Sequence, residues 1–202
     1  MMACEGKLSL VECYEALQMF SSGKAPGNDG LTADFYKGFW NLFGHQLTDA
    51  LNYSYEHGEL SNSQKQAITR ETEDRRYIKN WRPISLLKVD VKIALKALAI
   101  CLAKVSPEII QVDQYAYVKG RTIFDAVRTS DDIMEYTKIK QIPGLMVAFD
   151  FEKAFDSLSW RFLFKALNSF NFGKSIVHFM GFCSIQQYIK LHSKQWLFNP
   201  NV

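Results

Sequence analysis

No stretch of this 202-residue chain approaches the roughly 20 consecutive apolar residues that a membrane helix needs. The longest apolar run is Ala97–Ala103. Met1–Lys7 has none of the apolar character of a secretion signal, so the expectation is an intracellular protein, nuclear or cytoplasmic, that touches no membrane. The four cysteines (Cys4, Cys13, Cys101, Cys183) form no Cys-x-x-Cys pair. That argues against a zinc site or a disulfide framework and for small buried hydrophobes in a reducing compartment. The histidines show no His-x-x-x-His spacing, and Gly23–Gly30 lacks the Gly-Lys-Ser/Thr ending of a phosphate loop. Internal repeats and low-complexity tracts are also missing.

What is present is globular: 48% hydrophobic, 22% charged and 14% aromatic, enough to build a core. The net charge of +3 is unevenly placed. Residues 1–60 carry 3 Lys/Arg against 8 Asp/Glu, whereas residues 61–100 carry 9 against 4. A basic middle beside an acidic start suits a face that meets phosphate, or a solvated helix face.

Periodicity and punctuation predict mostly helix. Ser9 to Glu12 reads as a capping box opening a short helix closed by Gly23. Thr32 is a candidate N-cap for a helix with Phe35, Phe39, Leu42, Phe43, Leu47, Leu51 and Tyr55 on one side, ending at Gly58. Ala67-Ile68 starts like a strand and dissolves into charge, while Trp81–Leu87 is extended because Pro83 disfavours helix before it. Helices are expected over Val89–Val105, with a lysine-studded side (Lys88, Lys92, Lys96, Lys104), and over Ile123–Lys140. Leu145–Phe149 reads as a short buried strand with Asp150 at its end, followed by helices over Lys153–Phe170 and from Lys174 to about Gln186. This is an α/β or α+β pattern with much helix.

Asp150 is the sharpest candidate for chemistry. Two-metal phosphoryl transfer uses carboxylates at such strand ends to hold divalent ions, although a strand-end Asp also commonly caps a turn. Asp131-Asp132 diverge by about 100° on a helix and read as a solvated face. Arg82 and Arg121 could each fork onto phosphate oxygens or form surface ion pairs. Trp81, Tyr115 and Tyr117 lie among these cations, a composition that holds single strands and also one that packs cores.

Four segments in order carry a resemblance: Ser22-Gly-Lys-Ala-Pro-Gly-Asn-Asp-Gly-Leu-Thr32, Asn80-Trp-Arg-Pro-Ile-Ser-Leu-Leu87, Asp113-Gln with Val118-Lys-Gly-Arg121, and Phe149-Asp-Phe-Glu-Lys-Ala-Phe-Asp156. Together, across roughly residues 8–190, they resemble the reverse transcriptase domain of LINE-type (non-LTR) retrotransposons. The resemblance implies an α+β fold: a helix-rich, partial right-hand polymerase, with N-terminal extension and fingers over residues 1–142 and the start of a palm over 143–202. It implies Asp150 and the Phe151 carbonyl as ligands of catalytic Mg²⁺. Arg82 would grip the incoming triphosphate, and Phe155, with Ala154 beside it, would line the nucleotide site and exclude a ribose 2′-hydroxyl. The implied partners are an RNA template, a DNA primer, dNTP and the rest of a polyprotein.

Two family stretches, a Gln-Gly-x-Pro-Leu-Ser-like loop and an x-Asp-Asp hairpin, are not found in these residues. Only one of three metal-holding aspartates is then present, and the segment Ile68–Arg76 reads as a shortened, damaged fingers hairpin. The expectation is a reverse transcriptase fragment that is catalytically incomplete by itself. The alternatives are a remnant that only binds RNA or RNA–DNA hybrid, and a non-functional translated piece.

Overall fold

The computed structural model describes residues 6–57, 59–65, 67–70, 84–151, 158–174, 176–177 and 180. Five helices and one two-stranded sheet are found among them: α1 (Leu10–Gln18), α2 (Ala33–His57), β1 (Ala67–Arg70), β2 (Ile84–Leu87), α3 (Val89–Ile109), α4 (Ile123–Ile139) and α5 (Trp160–Ser169). The helix-rich expectation holds, with little strand.

The capping box forms as read. Ser9 Oγ accepts from the Glu12 N–H at 3.2 Å, and the Glu12 carboxylate accepts from the Ser9 N–H at 2.9 Å. The helix it opens stops at Gln18, five residues before Gly23. Cys13, Ala16 and Leu17 on its inner side are fully buried against α2 and α3. Both described cysteines, Cys13 and Cys101, are free and buried, as small core hydrophobes.

The long helix α2 runs where expected and buries part of the expected face, with Leu51 and Tyr55 buried and Phe43 and Leu47 packed against the core. Its buried row is Tyr36, Trp40, Gly44, Thr48, Leu51, Asn52 and Tyr55, whereas Phe35, Phe39 and Leu42 of the expected face are exposed. Small residues decide this. A Cβ on Gly44 would lie 2.8 Å from the Trp40 ring, so only glycine lets the indole fold along the helix. Thr48 hides its hydroxyl on the Gly44 carbonyl at 2.8 Å. Asn52 exchanges two hydrogen bonds with the Leu8 backbone, at 2.7 and 2.8 Å. Counting only large apolar side chains misses a polar row whose groups are satisfied internally.

Strand β1 pairs antiparallel with β2, Ala67 opposite Leu87 and Arg70 opposite Ile84. The base of the hairpin is therefore built despite the charged sequence that follows, and residues 71–83 lie outside the described set. Helix α3 runs to Ile109, beyond the predicted end, with Pro107 in its last turn.

Two expectations fail toward the C-terminal side. Leu145–Phe149 is no strand: it has no ladder partner among the described residues and is open to solvent, with Leu145 88% and Phe149 81% exposed. An isolated extended segment has no hydrogen bonds to hold it as a strand. The helix predicted from Lys153 is described from Trp160, after Ser159, whose hydroxyl caps the Phe162 N–H; residues 152–157 lie outside the described set. Leu167, Phe172 and Ile176 join the same cluster of buried residues as α1–α3.

Candidate nucleic-acid and catalytic site

The residues assigned by resemblance divide into two groups. Arg82, Ala154 and Phe155 lie outside the described residues. Asp150 and Phe151 are described, in irregular chain, with Asp150 exposed and Phe151 77% exposed. No group of three His, Cys, Asp or Glu that could share a metal ion is found among the described residues. A pair of Mg²⁺ ions needs several hard oxygen ligands around each. Asp150 supplies one carboxylate, so the described residues do not by themselves fit a metal pair.

The turn-rich segment 24–30 is not a phosphate loop but a packed brace. Gly30 N–H donates to the Gly27 carbonyl at 3.2 Å, and Asp29 accepts from the Leu31 N–H at 3.1 Å. A Cβ on Gly27 would meet the Lys88 Cα at 2.8 Å, so the loop can lie on the β2–α3 junction only with glycine there. Lys88, expected on a solvated face, is 7% exposed. Its ammonium donates to Ser63 Oγ at 2.5 Å and sits 3.8 Å from the Asp29 carboxylate. Burial forces this pairing, because an unpaired ammonium there would be costly.

Beside it, Asp90 accepts from the Val91 N–H at 2.7 Å and from Gln64 at 3.2 Å. Burial pushes the Asp90 carboxyl pKa up, with nearby Asp29 adding to the shift; the Val91 and Gln64 hydrogen bonds and the charge of Lys88 oppose it. Burial also raises the Tyr36 phenol, assisted by Asp90 and Asp29. The network thus ties the 24–30 loop, residues 61–65 and the strand leading from the hairpin into one polar joint.

These pairings leave the basic segment with fewer free cations than its sequence suggests. Of its nine cations, Lys88 is spent in the joint, and Lys65 pairs with Glu59 at 2.8 Å. Lys92 and Lys96 are half-buried along α3.

Arg121 is likewise not poised for phosphate. Its guanidinium donates to the carbonyls of Gln111, Gln114 (2.7 Å), Ile110 (2.9 Å) and Pro107 (3.3 Å). It therefore caps the C-terminal end of α3, where carbonyls lack helical partners and the dipole favours a cation, and it fastens the 111–121 loop there. No local sequence signal marks this role, because Arg121 lies twelve residues beyond Ile109, where α3 ends. Directly after it, Thr122 and Asp125 form a second capping box, with Asp125 held below the usual carboxylate range by its Thr122 hydrogen bonds. Asp131 and Asp132 on α4 are exposed, as expected of a solvated face. No described helix is long and apolar enough to cross a membrane.

Comparison with known proteins supplies what the geometry does not. Residues 64–200 match the family described as reverse transcriptase (RNA-dependent DNA polymerase). The chain is 36% identical over 179 residues to the transposon TX1 uncharacterized 149 kDa protein of Xenopus laevis. That alignment takes in 87% of this chain and 14% of the relative, so the chain spans about one seventh of that protein's length. The matched residues include both the hairpin and the segment around Asp150, and the chain belongs to the reverse transcriptase (RNA-dependent DNA polymerase) family.

Proposed function

We propose that the chain is the N-terminal extension and fingers (1–142) and the first part of the palm (143–202) of a LINE-type, non-LTR retrotransposon reverse transcriptase. The complete right-hand domain would add deoxynucleotides to a primer on an RNA template. The observation that carries this reading is that the 64–200 family match contains, in order, Asn80–Leu87 and Phe149–Asp156. In this reading Arg82 grips the triphosphate, and Phe155 and Ala154 bound the sugar of the nucleotide. Asp150 and the Phe151 carbonyl are Mg²⁺ ligands that act only alongside carboxylates beyond these 202 residues.

The 202 residues alone therefore do not polymerise, and holding template RNA or an RNA–DNA hybrid is the activity they retain. The test is incorporation of labelled dNTP on a primed RNA template, run beside salt-dependent RNA binding. Binding that weakens with salt, without incorporation, is the expected result. Incorporation that Asp150→Ala abolishes would overturn the incompleteness and leave the metal-ligand role standing.

A further inference from the structure

Helix α2 carries a second row of side chains that its own packing leaves uncovered. Phe35, Phe39, Leu42, Gln46, Asp49 and Tyr53 follow one another at spacings of four and three residues, the repeat that keeps one face of a helix toward a partner helix. All six are exposed, and Leu42 is the most exposed of the apolar ones at 74%. The start of the row is braced by rings. Phe35 lies 5.0 Å from Phe39, 5.9 Å from Phe43 and 5.7 Å from Tyr36, centre to centre. Beside it an open cleft of about 360 Å³ is lined by Leu31, Phe35, Tyr36, Phe43, Gln46 and Leu47, all but Gln46 apolar or aromatic.

Charge and backbone narrow what can cover this face. Asp49 stands in the row itself, with no ion-pair partner among the described residues. The one lysine of α2, Lys37, is engaged at the end of α1, where its ammonium donates to the Phe20 carbonyl at 2.7 Å and the Gln18 carbonyl at 3.4 Å. Helix α2 therefore offers a partner carboxylate and no free lysine or arginine. Gly38 lies one turn before Leu42, and a Cβ there would meet nothing within 4 Å. Glycine is unfavourable inside a helix, and no neighbour in the chain requires this one, in contrast to Gly44 against Trp40. It leaves bare backbone beside Phe39, where a second helix can come close.

We propose that this face of α2 docks a basic amphipathic helix of a protein partner. Apolar residues of that helix seat against Phe35, Phe39 and Leu42, and a lysine or arginine meets Asp49. From Phe35 to Asp49 the row is about 21 Å long, which sets the partner helix at about four turns. Rings that already brace one another lose little freedom on binding. Asp49 would repel phosphate, so a nucleic acid does not suit the face. Helix α4 also exposes apolar residues, but on several sides and among charges of both signs (Arg128, Asp131, Glu135, Lys138), so it selects no partner. The inference stands apart from the nucleic-acid reading above.

The experiment uses the full chain and two fluorescein-labelled helical peptides of about 15 residues at about 0.15 M salt, with melting followed in parallel. Both peptides carry leucines at spacings of three and four; their other positions are lysine in one and glutamate in the other. The lysine peptide is expected to bind, and the glutamate peptide to bind at least about tenfold more weakly. Phe39→Ala should weaken the lysine peptide about tenfold and Asp49→Lys about fivefold, while Val127→Ala on α4 leaves it unchanged. Gly38→Ala separates docking from folding. It should raise the melting midpoint by about 2–4 °C and yet weaken the peptide about fivefold. A face with only a structural role would show the first change without the second. Absent binding, equal binding of both peptides, parent-level binding by Asp49→Lys or Gly38→Ala, or an equal loss in Val127→Ala would overturn the proposal. So would dimerisation of the parent that Leu42→Lys abolishes, since the occupant is then a second copy.

Discussion

Helices α1 and α4 start in the same way. Each opens on a hydroxyl residue that caps a backbone N–H, answered by a carboxylate three residues on: Ser9 with Glu12, Thr122 with Asp125. Each carries apolar residues at helical spacing. Yet α1 buries Cys13, Ala16 and Leu17 completely, while α4 buries no residue. Ile123 is 68% exposed and Val127 54% exposed on α4. The difference is that α1 lies between α2 and α3, whereas the least exposed side of α4 is Ala126, Ser130 and Thr137, too small to make a core. Local sequence builds a helix; partners decide whether its apolar stripe stabilises anything.

The comparison breaks most visibly under truncation. Leu51→Ala removes a fully buried side chain from the packed helices and should cost about 2–5 kcal/mol. Val127→Ala on α4 should stay within about 0.5 kcal/mol, as surface changes do. Denaturant midpoints followed by far-ultraviolet circular dichroism measure both. Equal losses would mean that α4 is packed in solution, and that its stripe belongs to the core after all.

That contrast also marks where the sequence was legible. Caps, turns and helix spans depend on neighbours within four residues, so Ser9, Thr32 and the Val89 start could be read directly. Burial depends on distant partners. The apolar run Leu145–Phe149 had every local mark of a buried strand, yet no described strand lies beside it. The buried row of α2 was hidden for the opposite reason, since Gly44, Thr48 and Asn52 are small or polar and reach the core by satisfying one another or the backbone. Of the candidate site, the family was legible from four short segments. The joint around Lys88 was not, because its ammonium, Ser63 and Asp29 are brought together only by the tertiary fold. Arg121 was legible as important and misread in partner: its forked donors meet carbonyls, not phosphate.

The two caps sharpen the same comparison at smaller scale. Ser9→Ala should destabilise the folded protein by about 1 kcal/mol, because α1 is part of the cooperative core. Thr122→Ala should fray the start of α4 with less effect on the global midpoint, since that helix buries no residue. Amide exchange resolves the two cases. Loss of protection confined to the α4 amides supports the contrast, and an equal fall in global stability from both variants would end it.

The smallest expected effect is electrostatic and lies in the packed half. Burial, with Asp29 adding, raises the Asp90 pKa, so the native state binds that proton more tightly than the unfolded chain does. Its contribution to stability is therefore complete below the ordinary carboxylate range. It is lost as pH rises through the raised native value. Asp90→Asn keeps an oxygen for the Val91 N–H and removes the charge beside Asp29. Above that pH the variant should melt higher than the parent, by less than the Ser9 cap is worth, and the advantage should shrink as the pH falls. Lys88 works against this gain, because neutralising Asp90 leaves its ammonium to the Asp29 carboxylate 3.8 Å away. Exposed α4 offers the control: Asp131→Asn should change stability by no more than about 0.5 kcal/mol, as surface substitutions do. Parallel melting curves for parent and Asp90→Asn from acid to neutral pH would mean that Lys88 fully compensates the buried carboxylate, making the joint a neutral pair instead of a site with excess negative charge.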